Sequence, residues 1–393
     1  MGSCDELDSL VTPRRVPKKV LIPGMTRRSL LGRLGKLAVA TPLLAACAPA
    51  RPTQPAPPAG QPAQTGAGQA PVAGSRPATM RKVELAFCSQ VLCGIPLEVA
   101  RTRGFWEAEG LDVTITYARG GAQAANTLVS GGVDWVVSGF DVIVQTVSRG
   151  RDVTTIASLS RLPFFALAVS PREPSITTVR DLAGKKIGVG NLGTTDHLLA
   201  QYLLTREGVD LSSIEFVASG PNLYEQLNRG QVEAGMVQEP SLTLLERGGG
   251  KVLVNLMKLD DANRWLGGPY QFLALSTRPE TLVEQNAVAK GLIKGLVLAN
   301  RWVIASPGSE IVKAMPEELV AGGDIDTFAG VLDRFKGDLY PNDGKLAADS
   351  VERVIQVQSQ FGAIEPGSVD ANRIFTNTYV EQAIAGLPIW NMV

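Results

Sequence analysis

An internal repeat limits what this chain can fold into more than any other feature of its sequence. The stretch EGLDV at Glu109–Val113 returns as EGVDL at Glu207–Leu211. In the same order, KVELAF corresponds to KIGVGN, and LVSGGVDWVV corresponds to LNRGQVEAGM. Each of the three segments is separated from its counterpart by a similar number of residues, which indicates that one unit is built twice.

Each copy of the unit is predicted to alternate strands with helices. Helices between strands imply crossover connections and a parallel sheet, so the fold class is α/β with two similar lobes and a cleft between them. An all-helical region is expected after Pro279, and its helix NAVAKGLIKGLVLANRWVIA should end at Ser306-Pro307. The predicted strands are Val83–Phe87, Val113–Tyr117, Trp135–Ser138, Phe165–Ser170, Lys186–Val189, Ile214–Ala218, Gly235–Gln238, Val252–Leu256 and Gln271–Ser276.

Residues 1–46 are predicted to be a targeting segment. From Met25, the expected true start, a cationic stretch precedes an apolar run that is too short to span a membrane. Arg27 and Arg28 resemble a twin-arginine signal, and an ordinary secretory signal is the alternative. Leu44 to Cys47 resembles a bacterial lipobox, which implies a lipid on Cys47 and a protein held on the outer face of the cell membrane or in the periplasm. Ordinary cleavage after the small residues is the alternative.

Residues 47–80 are predicted to be a tether. They are rich in Pro, Ala, Gly and Gln and show no apolar periodicity, so they cannot bury enough surface to fold. The remainder of the chain has balanced charge and no basic concentration, which argues against nucleic acid as a partner. Cys88 and Cys93 could pair in an oxidising compartment or remain free thiols.

The order of motifs in the repeats resembles the nitrate, sulfonate and taurine family of ABC-transporter solute-binding proteins. The stretches RGFWEAEGLDVTITYARGGAQAANTLVSGGVDWVVSG, TVRDLAGKKIGVGNLGTTDHLLAQYLLTREGVD and LNRGQVEAGMVQEPS carry the resemblance. It implies a type II periplasmic-binding-protein fold that closes over a small solute and delivers it to a membrane permease. A monomer without a cofactor, a metal or enzymatic activity is expected.

This resemblance implies two crossings between the lobes. They are expected near Ser170–Pro174 and Pro269–Gln271. Lobe 1 would then hold residues 81–171 and 271–393, and lobe 2 would hold residues 172–270.

Loops that follow matching strands supply the candidate ligand-binding residues. In such sheets, ligands lie beyond the carboxyl ends of the strands, often at helix N-termini. Asp141 is interpreted as a helix cap, and the lone His197 as a polar or capping residue of the cleft. The candidates are Ser89, Gln90, Gly94, Ile95, Ser138, Gly139, Phe140, Thr194, Thr195, Asp196, His197 and Glu239.

The matched loops contain no obvious arginine, which favours helix N-termini as the partners of a small organic anion. Sulfonate or taurine-like solutes, nitrate and bicarbonate are the expected class, although Arg161 could reach the site. Aromatic residues suit an organic body better than bare nitrate. They are Phe140, Phe164, Phe165 and Tyr270.

Relatives of the same fold imply three alternatives to anion transport. One is binding of a thiamine-pyrimidine or flavin precursor, and another is a receptor domain that senses a solute. The third is a pyrimidine synthase that uses its own histidine and a vitamin B6 cofactor. The loop from Cys88 to Cys93 departs from the cysteine-dense motif of that enzyme, which makes the synthase the least favoured interpretation.

Overall fold

The computed structural model describes residues 79–88, 92–320 and 324–387. The predicted targeting segment, the lipidated Cys47, most of the tether, and Ser89 and Gln90 lie outside these ranges. Within the described part, ten strands form two five-stranded sheets. The strands are β1 (Arg81–Phe87), β2 (Leu111–Tyr117), β3 (Trp135–Gly139), β4 (Thr154–Ser160), β5 (Ala166–Val169), β6 (Lys186–Val189), β7 (Glu215–Ala218), β8 (Ala234–Val237), β9 (Lys251–Asn255) and β10 (Leu273–Thr277).

Helices connect the strands and then form the C-terminal region. None of the helices in the described ranges combines the length and apolarity that a bilayer span requires. They are α1 (Ile95–Thr102), α2 (Gly121–Val129), α3 (Phe140–Ser148), α4 (Thr195–Arg206), α5 (Leu223–Arg229), α6 (Ser241–Arg247), α7 (Leu259–Leu266), α8 (Pro279–Glu284), α9 (Asn286–Ala305), α10 (Gly308–Lys313), α11 (Glu317–Val320), α12 (Ile325–Leu339), α13 (Ala348–Gln360), α14 (Ala371–Ile374) and α15 (Thr378–Ile384).

The two sheets have the same topology. The first sheet, which defines lobe 1, has the order β2-β1-β3-β10-β4, and the second, which defines lobe 2, has the order β7-β6-β8-β5-β9. In each sheet the first three strands are parallel, and the fourth is antiparallel to both of its neighbours. The prediction of a doubled α/β unit is therefore confirmed.

Strand β4 was not predicted from the sequence. Its sequence TTIASLS is rich in small polar residues, which favours a loop. Pairing with β10 buries these side chains, and the hydroxyls of Thr155 and Ser276 lie 2.9 Å apart between the strands. The backbone N–H of Leu273 also donates to the Ser160 hydroxyl at 3.2 Å, so long-range pairing satisfies two of the hydroxyls that made the segment resemble a loop.

The predicted position of the first crossing was wrong. Strand β5 pairs with β8 and β9, so it belongs to lobe 2 and the chain crosses within residues 161–165. This strand was expected in lobe 1. Its apolar run is compatible with burial in either sheet and therefore does not specify its partner strands. The second crossing lies between α7 and β10, in the region of Pro269–Gln271.

Hydrogen bonds join the two crossings into a compact hinge. The backbone N–H of Phe272 donates to the Ser160 carbonyl at 3.1 Å. The side-chain amide of Gln271 donates to the carbonyls of Ser160, at 3.2 Å, and Leu273, at 2.8 Å. One buried amide therefore ties the end of β4 to the start of β10.

The C-terminal helices pack on both lobes. Helix α9 ends before Ser306, as its sequence predicts, and packs against Trp106, whose indole N–H donates to the Leu292 carbonyl at 3.0 Å. Helix α12 reaches lobe 2, where Arg334 lies 3.5 Å from a carboxylate oxygen of Glu246 in α6. This helix therefore contributes contacts to lobe 2 as well as to the core of lobe 1.

Candidate functional site

The loops at the carboxyl ends of the two sheets meet between the lobes. Helix α3 begins directly after β3, and α4 begins shortly after β6. The Thr195 hydroxyl at the start of α4 donates a hydrogen bond to the Asp141 carboxylate at the start of α3. The start of a helix in each lobe thus contributes to one interlobe contact, where the repeat predicts a cleft.

Asp141 is buried at this contact, with 4% of its surface exposed. Burial raises the pKa of its carboxyl, and the nearby charge of Asp196 raises it further. The hydrogen bond from Thr195 acts in the opposite direction because it stabilises the charged form. Asp141 was interpreted as a helix cap, and its carboxylate does accept from the backbone N–H groups of Asp141 and Val142 at the start of α3, in addition to its contact with the other lobe.

Asp196 occupies the equivalent position in α4. Its carboxylate accepts a hydrogen bond from the backbone N–H of Gly190 and another from the Thr194 hydroxyl at 2.5 Å. The starts of α3 and α4 therefore each carry a buried carboxylate. These carboxylates lie where the helix dipole would otherwise favour a bound anion.

The other predicted residues at the end of β3 have mixed environments. Ser138 is fully buried, and its hydroxyl has no hydrogen-bond partner among the described residues. A Cβ on Gly139 would collide with the Asp141 carboxylate, so a glycine is required beside that side chain. Phe140 is fully buried in the core, and the prediction that it lines the cleft was wrong.

Gly94 and Ile95, at the start of α1, have packing roles in the structure. A Cβ on Gly94 would lie 2.6 Å from Cε1 of Phe87, so the glycine permits close approach of that ring. Ile95 is fully buried. Cys88 and Cys93 are free thiols, which decides the open question of a disulfide. Burial raises the pKa of Cys88 to about 12 and also raises that of Cys93, so both thiols are protonated at neutral pH.

His197 lies at the rim of lobe 2. Its Nδ1 accepts a hydrogen bond from the backbone N–H of Gly193 at 3.0 Å, and its Nε2 lies 2.9 Å from Nε2 of Gln201. The ring packs edge-on against Phe216, with 4.6 Å between the ring centroids. Burial lowers the pKa of His197, and these contacts match the predicted polar role.

Glu239 lines a narrow cavity between the lobes. The cavity has a volume of about 10 Å³, the space of about one water molecule. Lobe 1 contributes Cys93 and lobe 2 contributes Gln238 and Glu239 from the end of β8. The described residues that line it are Cys93, Phe164, Gln238, Glu239, Met257, Val331, Phe335 and Leu339.

The carboxylate of Glu239 is held by one neighbour. Its Oε2 accepts from the backbone N–H of Thr243 and its Oε1 from the Thr243 hydroxyl, both at 3.0 Å. Burial raises the pKa of Glu239, whereas the bonds from Thr243 and the charge of Arg334 lower it. Glu239 is 8% exposed, so its charge is poorly solvated.

Three lining residues come from α12 and were not predicted from the sequence. Val331, Phe335 and Leu339 form one apolar wall of the cavity. The amphipathic pattern of α12 predicts a buried face but does not show which surface that face covers. Arg161 was expected to reach the site, but it donates to the carbonyl of Asp338 at 2.8 Å and therefore holds the end of α12.

A family model described as NMT1/THI5-like matches residues 94–309, which is more than half of the chain. The chain belongs to the NMT1/THI5-like family. Two curated relatives illustrate the range of this similarity. The 4-amino-5-hydroxymethyl-2-methylpyrimidine phosphate synthase of Schizosaccharomyces pombe is 27% identical over 143 residues, which cover 36% of this chain and 40% of the enzyme. YtlA of Bacillus subtilis, which is named as a binding protein, is 22% identical over 77% of this chain and 90% of YtlA.

Solved structures resemble this NMT1/THI5-like protein over three quarters of its length. A protein from Bordetella bronchiseptica is 26% identical, with a TM-score of 0.66 over 77% of this chain and 97% of the other. The periplasmic aliphatic sulphonate binding protein SsuA of Escherichia coli has a TM-score of 0.61 at 17% identity, over 75% and 91%. The periplasmic nitrate-binding protein NrtA of Synechocystis has a TM-score of 0.62 at 14% identity, over 78% and 89%. The fold is that of the periplasmic binding proteins.

Proposed function

We propose that this NMT1/THI5-like protein is the extracytoplasmic solute-binding component of an ABC importer. One observation carries the proposal: a cavity lined from both lobes lies between the carboxyl ends of two sheets of identical topology. Such sheet edges are where ligands bind in open α/β folds. The hydrogen-bonded hinge at Gln271 would let the lobes open and close around a solute.

The relatives support a binding role in different degrees. SsuA and NrtA share the fold. SsuA is named as an aliphatic sulphonate binding protein and NrtA as a nitrate-binding protein. YtlA, a named binding protein, is matched over 90% of its length, whereas the S. pombe synthase is matched over 40%. The longer match therefore favours capture and release of a solute over chemistry performed on it.

Two classes of solute compete in this proposal. A small organic anion, such as a sulfonate, taurine-like compound, nitrate or bicarbonate, is favoured by the names of the structural neighbours. A thiamine-pyrimidine or flavin precursor is the second candidate. It is favoured by the cavity itself, where Glu239 and Gln238 lie beside the rings of Phe164 and Phe335.

A synthase activity has little support from the residues of the cavity. A vitamin B6 cofactor is held in enzymes through a lysine Schiff base. Among the described residues, the lining of the cavity includes neither a lysine nor a histidine, so these residues do not fit that cofactor. His197 is engaged with Gly193 and Gln201 at the rim of lobe 2. We therefore propose a binding protein and derive no catalytic step.

The proposed location follows from the N-terminal sequence. Export through the signal in residues 1–46 would be followed by lipidation of Cys47 and attachment to the membrane. The Pro-rich tether would let a monomeric binding protein reach its permease. A receptor domain that senses the same solute for a signalling partner is the alternative. Deletion of a permease gene beside the gene for this protein would distinguish the two, because only an importer component requires the permease for solute uptake.

A thermal-shift screen of the full chain tests this function. The panel contains taurine, alkyl and aryl sulfonates, nitrate, bicarbonate, hydroxymethylpyrimidine, riboflavin and organic amines. A solute at one hundred times its dissociation constant should stabilise the native state by about 2.7 kcal/mol and should also reduce the radius of gyration in solution scattering.

A matched pair of variants locates the binding. Gln238→Trp fills the cavity beside Glu239 and should abolish the stabilisation, whereas Thr114→Trp on the exposed face of β2 should not. The proposed function is wrong if ligand-free protein responds to no solute, or if binding persists unchanged in Gln238→Trp.

A further inference from the structure

Buried charge between the lobes has one predominant sign. The buried charged side chains of the described residues are Glu98, Asp141, Asp196, Glu239 and Arg301. Arg301 lies in α9 and donates to the carbonyl of Asn342 at 2.8 Å, away from the strand ends that meet between the lobes. The buried charge at those strand ends is therefore acidic.

Three of these carboxylates form no direct ion pair in the described part of the chain, although the charge of Arg334 acts on Glu239 from beyond contact distance. Glu98 pairs with Arg101 at 2.6 Å. The ion pairs between described residues do not include Asp141, Asp196 or Glu239. A buried charge without a counter-charge is costly, so a protein normally pairs it, neutralises it or matches it with a ligand.

The carboxylates also weaken the case for an anionic solute at the helix starts. Asp141 and Asp196 already occupy the first turns of α3 and α4, where the backbone amides would attract an anion. A sulfonate or nitrate placed there would lie against two carboxyl groups in a poorly solvated environment, where an ionised carboxylate repels an anion strongly.

Glu239 is the carboxylate that borders the cavity. Each of its oxygens accepts one hydrogen bond from Thr243, and a carboxylate oxygen can accept two. One acceptor position therefore remains on each oxygen. The hydrogen bonds of Arg334 go to the Thr243 hydroxyl at 3.4 Å and to Glu246 at 3.5 Å, so this guanidinium acts on Glu239 through its charge and not through a hydrogen bond.

The rest of the cavity specifies the body of the solute. Phe164, Met257 and Phe335 supply apolar walls, and Gln238 adds a second polar group beside Glu239. The complementary ligand is a flat or apolar body with a nitrogen donor group at one end. Two parallel N–H bonds to one carboxylate are the geometry that amidine-type groups provide.

We propose that the cleft selects a solute with a positively charged, amidine-type nitrogen group, and that Glu239 is the residue that recognises it. This inference rests on the proposed solute-binding function and narrows its solute class. It opposes the anion expected from the sequence. The closed cavity holds only about one water molecule. Binding therefore requires the lobes to separate before they close on the ligand.

Three probes with one ring and different charge test the inference. Benzamidinium, neutral benzamide and anionic benzoate are titrated into the full chain by calorimetry. We expect benzamidinium to bind, benzamide to bind about ten-fold more weakly and benzoate to show no binding. Glu239→Gln should lose about ten-fold or more of the benzamidinium affinity and leave the benzamide affinity nearly unchanged.

Glu246→Gln is the matched control because it removes an equal charge from α6. Glu246 pairs with Arg334 and does not line the cavity, so benzamidinium affinity should stay at the wild-type value. If Glu239→Gln fails to fold, Glu239→Asp retains the charge, retracts it by one methylene and should also weaken benzamidinium.

The outcomes separate this inference from the function on which it rests. Benzoate or a sulfonate that binds as tightly as benzamidinium overturns the charge preference and leaves a solute-binding protein. Absence of benzamidinium binding, or wild-type affinity in both Glu239→Gln and Glu239→Asp, also overturns it. If no solute of the thermal-shift panel stabilises the protein, the proposed function itself is wrong.

Discussion

Thr195 of lobe 2 donates its hydroxyl hydrogen bond to the carboxylate of Asp141 of lobe 1. Both side chains are buried, and each lies in the first turn of the helix that follows a parallel strand of its own sheet. The two copies of the repeat are thus linked by their corresponding helix starts. The bond provides a direct energetic connection between closure of the cleft and the protonation of one carboxyl group.

Removal of the Thr195 hydroxyl should destabilise the closed arrangement. Thr195→Val keeps the shape but leaves the Asp141 carboxylate without its donor, which should cost about 1–3 kcal/mol. Chemical denaturation at pH 7 measures the loss, and solution scattering should show a larger radius of gyration. Thr114→Val, on the exposed face of β2, is the control and should change neither quantity. Equal stability of the two variants would contradict the interlobe role of Thr195.

Glu239 should make the stability of the ligand-free protein fall with rising pH. Burial raises its pKa in the folded state, so its favourable contribution is complete below the ordinary glutamate pKa and is lost as pH rises through the folded pKa. Glu239→Gln cannot ionise. Relative to wild type, this variant should therefore gain stability in thermal unfolding as pH rises from the ordinary glutamate pKa of about 4.3 through the higher folded pKa.

A matched substitution separates this effect from general charge removal. Glu246→Gln removes an exposed carboxylate that pairs with Arg334, so its stability relative to wild type should show no comparable gain across that interval. Parallel pH profiles for Glu239→Gln and wild type would show that Glu239 does not titrate as its burial indicates.

His197 should produce the opposite slope. Burial lowers its pKa, and the neutral ring accepts the hydrogen bond from Gly193 at 3.0 Å. Its contribution to stability is therefore complete above the ordinary histidine pKa of about 6.5 and is lost as pH falls through the folded pKa. At pH 7.5, His197→Gln should lower the free energy of unfolding relative to wild type. At pH 5.0 this difference should be smaller, because the wild-type protein loses the contribution of the neutral ring as pH falls. Urea unfolding at the two pH values measures the change. Because the chain has one histidine, no other imidazole contributes to the difference.

Two glycines with opposite surroundings should respond oppositely to alanine. A Cβ on Gly295 of α9 would lie 2.6 Å from Nε1 of Trp106, so Gly295→Ala should destabilise the protein by about 1–3 kcal/mol. Gly330 lies in α12 with nothing within 4 Å of a new Cβ, and Gly330→Ala should stabilise it by about 0.5–1 kcal/mol. Thermal unfolding measures both changes, and a loss of stability in Gly330→Ala would contradict the open environment of that helix face.

Local patterns predicted most of the strands and the repeat itself. Alternating apolar runs, glycine turns and the proline after Ser306 act over a few residues, so they can be recognised without knowledge of the fold. Strand β4 cannot be recognised in this way, because its Thr155 hydroxyl finds its partner, Ser276 of β10, more than one hundred residues away in the sequence. A polar strand of this kind resembles a loop until its partner is known.

For the candidate site, the sequence likewise predicts the positions of residues but not the directions of their side chains. The positions at the starts of α3 and α4 follow from the rule for strand ends, and the structure places Thr195 beside Asp141 there. Phe140 was assigned to the cleft because it adjoins a strand end, yet its side chain points into the core. Direction of a side chain at the start of a helix depends on packing that the sequence pattern does not specify.

Two similar α/β units followed by helices can be predicted from this amino-acid sequence, because hydrophobic periodicity and turn residues are local properties. Long-range packing places β5 in lobe 2, makes α12 a wall of the cavity and buries the carboxylates Asp141, Asp196 and Glu239 between the lobes. These features depend on contacts between residues far apart in the chain. An apolar strand or helix face can be buried against several partners at similar free energy, and the partner is selected by the packing of the whole chain.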